Sequence, residues 1–391
     1  MFNMSPHKPI VVLLVDDQPI IGEAVRRMLA EQIDIEFHFC SNPTDALKIA
    51  EEVSPTVILQ DLVMPDVDGL TLVKFFRANP KTKEIPLVVL SSKEEPDIKY
   101  RAFENGANDY MVKFPDKLEV MARIRYHSGA YTALLERNEA MQKLQESQNA
   151  LKNELDEAEH YVKSLLPAKF SDGKISTDWV FKSSTSLGGD CFGYGWLDGE
   201  KFAVYLLDVC GHGVGAALLS VSAMNVLRSQ SLAGVDFSKP DQVLAGLNSA
   251  FDMEKQNRMY FTLWYGVYDV AQRRLEYASG GHPPAILISG GKYKKLMTGG
   301  IVIGGMPEAK FTSASVEVPE NSKLYVFSDG VYEVKYAEKP SMMNVDDFAN
   351  ELLAPPMAHT SKVESMVKFS QNAQKNEQFE DDFSLCEIIL K

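Results

Sequence analysis

Between Pro115 and Pro167 the chain has no proline, and the stretch is rich in Ala, Leu, Glu, Gln and Lys. That composition favours one helix of about 50 residues, roughly 75 Å long, with Gly129 as its weak point. A rod of this length divides the chain into a leading part (1–125), a linker helix (126–166) and a trailing part (167–391). At 391 residues, each flank is long enough to bury a core of its own. With Leu134 set as heptad position a, the a series reads Leu134, Met141, Gln148, Leu155, Val162, and the d series Arg137, Leu144, Leu151, Ala158, Leu165. Eight of the ten are apolar, which predicts a coiled coil and therefore a partner helix, with a homodimer as the expected assembly. The competing reading is a single helix packed on its own domain.

From Val11 to Met121 strand-like apolar runs (VVLLV, IEFHF, TVILQ, LVVLS, DYMVK) alternate with amphipathic stretches. This spacing predicts a parallel sheet with helices on both faces, and chemistry at the carboxyl ends of its strands. Asp16 and Asp17 follow the first strand and Asp61 ends the third, so three carboxylates converge on one edge. Three crowded acids call for a cation, and oxygen-only ligation suits magnesium. Ser91 ends the fourth strand and Lys113 the fifth, adding a hydroxyl and a point charge suited to phosphoryl oxygens. One acid at a strand end is commonly a helix N-cap, but five such groups on four strands point to a carboxylate that accepts phosphate.

Through VDDQP, LQDLVMPDVDG, LSS and DYMVK, residues 9–125 resemble the receiver domain of two-component response regulators, a flavodoxin-like α/β fold. The resemblance implies Asp61 as phosphoacceptor, a magnesium site of Asp16, Asp17, Asp61 and the Val63 carbonyl, and Ser91, Tyr110 and Lys113 as the signalling switch. It also implies a histidine kinase or phosphotransfer protein as donor. Receivers usually have Pro directly after the Lys, whereas Phe114 here separates Lys113 from Pro115. That variant and the following helix resemble the receiver and stalk placed before diguanylate cyclases.

Beyond Pro167 the texture changes to short alternating apolar runs with many glycines: FAVYLLDV, TLWYGVYDV, LEYASG, AILISGG, KLYVFSDG, DFSLCEIIL. These predict strands, and GAALLSVSAMNVLRSQ, PDQVLAGLNSAFDM and NVDDFANELL predict helices, so the part is α+β and layered. Four acid-bearing motifs stand out: GGDCFG with Asp190, LLDVCGHG with Asp208, FSDGVYE with Asp329 and EDDFSL with Asp381. Three have a glycine near the acid, which allows close approach to the carboxylate. Asp198-Gly199 reads as a simple turn, and His212 and His282, beside glycines or prolines, as turn residues. Carboxylates without imidazole or thiolate select magnesium or manganese, and two such ions sharing a carboxylate can activate a water for attack on a phosphate ester.

Together with ASGGHPPAIL these motifs resemble the sporulation-E-type branch of the PPM metal-dependent serine/threonine phosphatases over residues 165–391. The resemblance implies two magnesium or manganese ions. Asp208 bridges them, the Val209 carbonyl helps one, Asp190 holds the second, and Asp329 and Asp381 hold the other sides. Asp382 stands behind these ligands, and Lys182 is the only basic residue in the segment before Asp190 that could meet the substrate phosphate. The usual substrate in this branch is a phosphoserine or phosphothreonine on an anti-sigma-factor antagonist. Two alternatives remain. One is a catalytically silent phosphatase-like adaptor. The other is a diguanylate cyclase, suggested by the GGDCF run but opposed by Cys191 where that signature needs a carboxylate.

Forty Lys+Arg against 54 Asp+Glu leave a formal charge of −14, which disfavours nucleic acid and anionic membranes as partners. The longest apolar runs are strand-sized and Met1 to Ile10 lacks signal-peptide character, so a soluble, cytoplasmic protein is expected. Cys40, Cys191, Cys210 and Cys386 form no C-x-x-C pair and read as ordinary thiols.

Overall fold

The structure is a computed structural model that describes residues 9–65, 67–92, 95–113, 115–184, 187–338 and 340–391; Phe114 therefore lies outside the described residues. Its contacts group into two compact units, Met1–Asn149 and Ala150–Lys391.

In the first unit, strands β1 (Ile10–Val15), β2 (Ile35–Cys40), β3 (Val57–Asp61), β4 (Leu87–Ser91) and β5 (Asp109–Val112) form one parallel sheet in the order β2-β1-β3-β4-β5. Helices α1 (Pro19–Leu29), α2 (Ala46–Val53), α3 (Gly69–Ala78) and α4 (Pro96–Glu104) alternate with the strands. Strands β3 and β4 are buried at every position, as expected of a sheet covered on both faces. Two apolar clusters, one per face, share alternate residues of β1: Leu13 and Val15 on one side, Val12 and Leu14 on the other.

The proline-free stretch is a single helix, α5 (Lys117–Leu165). Its first turns bury Val120 and Ile124 against the sheet. Farther along, Met141, Leu144 and Leu151 of the heptad seam are exposed, at 64%, 58% and 58%. The seam's last residue, Leu165, packs into the core of the second unit.

The second unit stacks two antiparallel sheets. One runs β13-β10-β9-β8-β7, the other β12-β11-β14-β15-β6. The strands are β6 (Ile175–Lys182), β7 (Cys191–Trp196), β8 (Lys201–Val209), β9 (Phe261–Asp269), β10 (Arg274–Gly280), β11 (Ala285–Ser289), β12 (Lys292–Leu296), β13 (Ala314–Glu317), β14 (Ser322–Phe327) and β15 (Phe383–Leu390). Helices α6 (Val214–Ser229) and α7 (Pro240–Ala250) cover the outside of the first sheet, and α8 (Val345–Leu353) and α9 (Lys362–Gln374) that of the second.

Period-two alternation sorts β8 between these layers. Phe202, Val204 and Leu206 point between the sheets, while Ala203, Tyr205 and Leu207 point to α6 and α7. The next inter-sheet position is Asp208. Asp198 accepts from the Glu200 and Lys201 amides at the β7–β8 turn, which is the simple turn its sequence suggests. Strands β6, β7, β12 and β13 and helix α9 are additions to the elements read from sequence. Among the described residues no helix is long and apolar enough to cross a membrane.

Candidate functional site

At the carboxyl edge of the parallel sheet, one carboxylate oxygen each of Asp16, Asp17 and Asp61 lies within 4.8 Å of the others. Asp16 and Asp61 are fully buried. Lys113 reaches in from the end of β5, its Nζ 2.7 Å from Asp61 Oδ2 and 3.1 Å from Asp16 Oδ2. Burial raises the Asp16 pKa, against the opposing pull of the Gln18 amide and Lys113. For Lys113 burial works downward, but the two carboxylates outweigh it and the net shift is upward. One ammonium leaves three acids undercompensated, and the buried Asp17 Oδ1 and Asp61 Oδ1 have no hydrogen-bond partner. An all-oxygen donor set with vacant lone pairs fits a hard divalent cation.

Ser91 and Tyr110, both buried, stand on the two strands beyond Asp61, and the Ser91 carbonyl accepts from the Lys113 amide at 2.6 Å. Val63 sits in the loop after β3, bridged to Asp68. That loop is held tightly. A Cβ on Gly69 would come within 2.7 Å of the Leu62 and Asp61 backbones, and the buried Gln60 amide donates to the Gly69 carbonyl at 2.7 Å.

The second acid set lies where the inter-sheet core of the sandwich runs out. Asp208 ends the inward row of β8, and Asp190 immediately precedes β7, whose Cys191 is opposite Leu207. Asp329 follows β14 and Asp381 precedes β15, the neighbouring strand of the facing sheet. Asp208, Val209, Asp329 and Asp381 line one cavity of about 320 Å³. Asp190 is not on its wall. It is buried, with its own Oδ2 partnerless. Lys182 is exposed and is not among the lining residues.

The electrostatics are those of acids without counterions. Burial, then Asp208 and Asp382, push Asp190 well above the carboxylate range. Burial and the neighbouring Asp329, Asp381 and Asp382 raise Asp208 to about 8. Asp329 rises to about 6, by burial and then Asp381. Among the described residues lining the cavity there is no lysine or arginine.

Asp382 is the framework of this site. Its Oδ1 accepts from the Ser184 amide at 2.8 Å and from the Ser183 and Ser184 hydroxyls, and its Oδ2 from the Gly189 amide at 2.7 Å and the Asp190 amide at 3.4 Å. The glycines make room for this. A Cβ on Gly188 would lie 2.3 Å from Asp382 Oδ2, and one on Gly330 2.3 Å from the Asp382 carbonyl.

Ser184, Cys210, His212, Tyr260, Thr262 and Glu380 also line the cavity, and the sequence reading assigned none of them to the site. Their signal lay in strand register: Thr262 is directly opposite Asp208. Gly211 and Gly213, at φ of 91° and 89°, turn the chain sharply and bring His212 to the cavity wall, so it is more than a turn residue. His282 is buried away from the cavity, and burial lowers its pKa to about 4.

Two families match the chain. Residues 12–125 match the response regulator receiver domain, and residues 198–390 match the stage II sporulation protein E family. Phosphoserine phosphatase RsbP of Bacillus subtilis is 30% identical over 184 residues, 46% of this chain and 46% of that protein. Response regulator Rre1 of Synechocystis sp. is 28% identical over 118 residues, 30% of this chain and 51% of that protein. The chain thus spans about half the length of the curated relatives it matches. The SiaA-PP2C domain of Pseudomonas aeruginosa superposes with a TM-score of 0.55 at 18% identity, covering 63% of this chain and 99% of that one, a likeness of fold. The chain therefore joins a flavodoxin-like receiver domain, through a long helix, to a domain that matches the stage II sporulation protein E family and has a fold like that of the SiaA-PP2C domain.

Proposed function

We propose that this chain is a response regulator in which phosphorylation of Asp61 controls a metal-dependent protein serine/threonine phosphatase, acting on a phosphorylated anti-sigma-factor antagonist. The observation that carries the reading is the set Asp190, Asp208, Asp329 and Asp381 at the open end of the sandwich. These acids are raised in pKa by burial and by one another, with no lysine or arginine on the described cavity wall. A donor set of carboxylates fits magnesium or manganese, and the partnerless Asp190 Oδ2 is a lone pair such an ion would take up. Two bound ions would supply an activated water and neutralise charge on a phosphate ester.

In this reading Asp208 would be shared by the ions, Asp190 and the Val209 carbonyl would hold them on the β7–β8 side, and Asp329 and Asp381 on the β14–β15 side. With no arginine on the wall, His212 and Tyr260 offer the N–H and O–H donors that orient the substrate phosphoryl group. The similarity to the phosphoserine phosphatase RsbP supports phosphoserine as the substrate class.

In the receiver, Asp16, Asp17, Asp61 and the Val63 carbonyl would hold one magnesium. A histidine kinase or phosphotransfer protein gives its phosphoryl group to an Asp61 oxygen. The Lys113 ammonium and the Ser91 hydroxyl then receive the phosphoryl oxygens, and Tyr110 completes the switch. Homodimerisation through α5 and a cytoplasmic location belong to the same proposal. Cys191, buried in the sandwich core, weighs against the cyclase alternative.

The test is phosphate release from a phosphoserine-bearing antagonist with manganese. Asp208→Ala should reduce it at least 1000-fold while the circular dichroism spectrum is kept, an order of magnitude expected when the group that organises a catalytic metal is removed. Hydrolysis that persists in Asp208→Ala, or in excess chelator, would contradict the enzyme reading. A wild type that binds the antagonist but releases nothing would favour the adaptor.

A further inference from the structure

Thr262 of β9 stands directly across the antiparallel ladder from Asp208 of β8. Opposed residues in such a ladder project from the same face, with Cβ atoms about 4.5–5.5 Å apart. Alternation with Leu206 and Trp264, both in the inter-sheet core, makes that the inter-sheet face. Thr262 also lines the acid cavity, yet its Oγ1 is sealed from solvent and has no hydrogen-bond partner. A buried hydroxyl without a partner destabilises a fold, and valine, equally β-branched and at home in a strand, would fill the same space without that cost. The hydroxyl is thus unexplained by packing, and the acceptor directly across the ladder from it is the Asp208 carboxylate.

We propose that Thr262 is a positioning residue for Asp208, an inference that rests on the metal-dependent reading of the acid cluster. A carboxylate shared between cations is an acceptor only. With ions drawing that carboxylate into place, the free Thr262 hydroxyl would donate to it and hold its orientation, as outer partners of metal ligands do. The single hydroxyl donor therefore sets metal affinity without touching the metal or the substrate.

The test uses the full chain with Thr262→Val and Thr262→Ser. Manganese binding is followed by calorimetry without substrate, beside the thermal midpoint in chelator and steady-state kinetics. Thr262→Val should bind manganese at least about 10-fold more weakly. Its kcat at fixed manganese should fall with little change in KM for the phosphoprotein, and its thermal midpoint in chelator should equal or exceed wild type. Thr262→Ser, which keeps the hydroxyl, should restore manganese affinity. Unchanged manganese affinity in Thr262→Val would overturn the proposal, and so would a Thr262→Ser variant as weak as Thr262→Val, because the methyl group would then be what matters. If the wild type neither binds manganese nor releases phosphate, the metal-dependent reading falls and this one with it. A wild type that does both beside an unaltered Thr262→Val overturns the positioning role alone.

Discussion

Asp382 shows how one buried acid can organise a site it does not line. Its two oxygens accept three amide hydrogens and two hydroxyls from Ser183, Ser184, Gly189 and Asp190. In Asp382→Asn one of those oxygens becomes an NH2 that faces an N–H group, so at least one buried amide loses its acceptor. Hydrogen bonds to a charged partner and the desolvation of an orphaned amide together put the cost at about 2–4 kcal/mol. The urea midpoint should fall accordingly, and manganese affinity with it, because the same bonds position Asp190. A midpoint unchanged within error would mean that the 183–190 segment holds itself. At this scale the sequence was most legible where acids sit at strand ends, as for Asp16, Asp61 and Asp208. It was least legible where a residue belongs to the site through its neighbour: Thr262 is assigned by cross-strand register, and His212 by the two positive-φ glycines beside it.

Among the elements, α5 was the easiest to read and α9 the hardest, for the same physical reason. Fifty residues without proline leave helix as the natural state, whereas α9 hides its stripe by burying Lys362, Ser365 and Ser370 beside Val363, Met366 and Val367. Lys362 escapes the cost by capping α8, donating to the Glu351 and Ala354 carbonyls at 2.7 and 2.6 Å. The seam of α5 is weak by composition. Gln148 and Arg137 interrupt it, and the facing pairs of a parallel dimer would be Ala140 with Gln145, Ser147 with Lys152 and Glu154 with Glu159, none attractive. Glu159 is moreover already paired with Lys163 of its own helix at 2.5 Å. A marginal coil can be tipped by a small free energy from the receiver. Replacing Gln148 with Leu should therefore tighten the dimer by roughly tenfold in sedimentation, the effect of removing one buried polar group from such a seam, and leave phosphatase activity largely insensitive to phosphodonor. A Gln148→Leu chain with wild-type dimer affinity and wild-type responsiveness would make the helix a passive tether.

The whole molecule carries two acid sites of different construction. In the receiver a lysine is already paired with two carboxylates, and in the sandwich no lysine or arginine is present on the described wall. The first suits a site that must hold and release one phosphoryl group, the second a site that keeps its cations through many turnovers. Both folds were legible from the rhythm of their strands, parallel with intervening helices in one and antiparallel with glycine-rich turns in the other. The paired layers of the sandwich were less so, because edge strands such as β12, with Lys292, Lys294 and Lys295, carry too few apolar residues to announce themselves. The central claim is that the first site governs the second. Its most direct test is the initial rate of manganese-dependent phosphate release from a phosphorylated antagonist, with and without a small-molecule phosphodonor, in wild type and Asp61→Asn. A donor-dependent change of at least several-fold is expected in wild type, and none in Asp61→Asn, whose amide cannot form the acyl phosphate but whose basal rate is kept. A donor response that survives in Asp61→Asn, or a wild type indifferent to the donor, would contradict the claim.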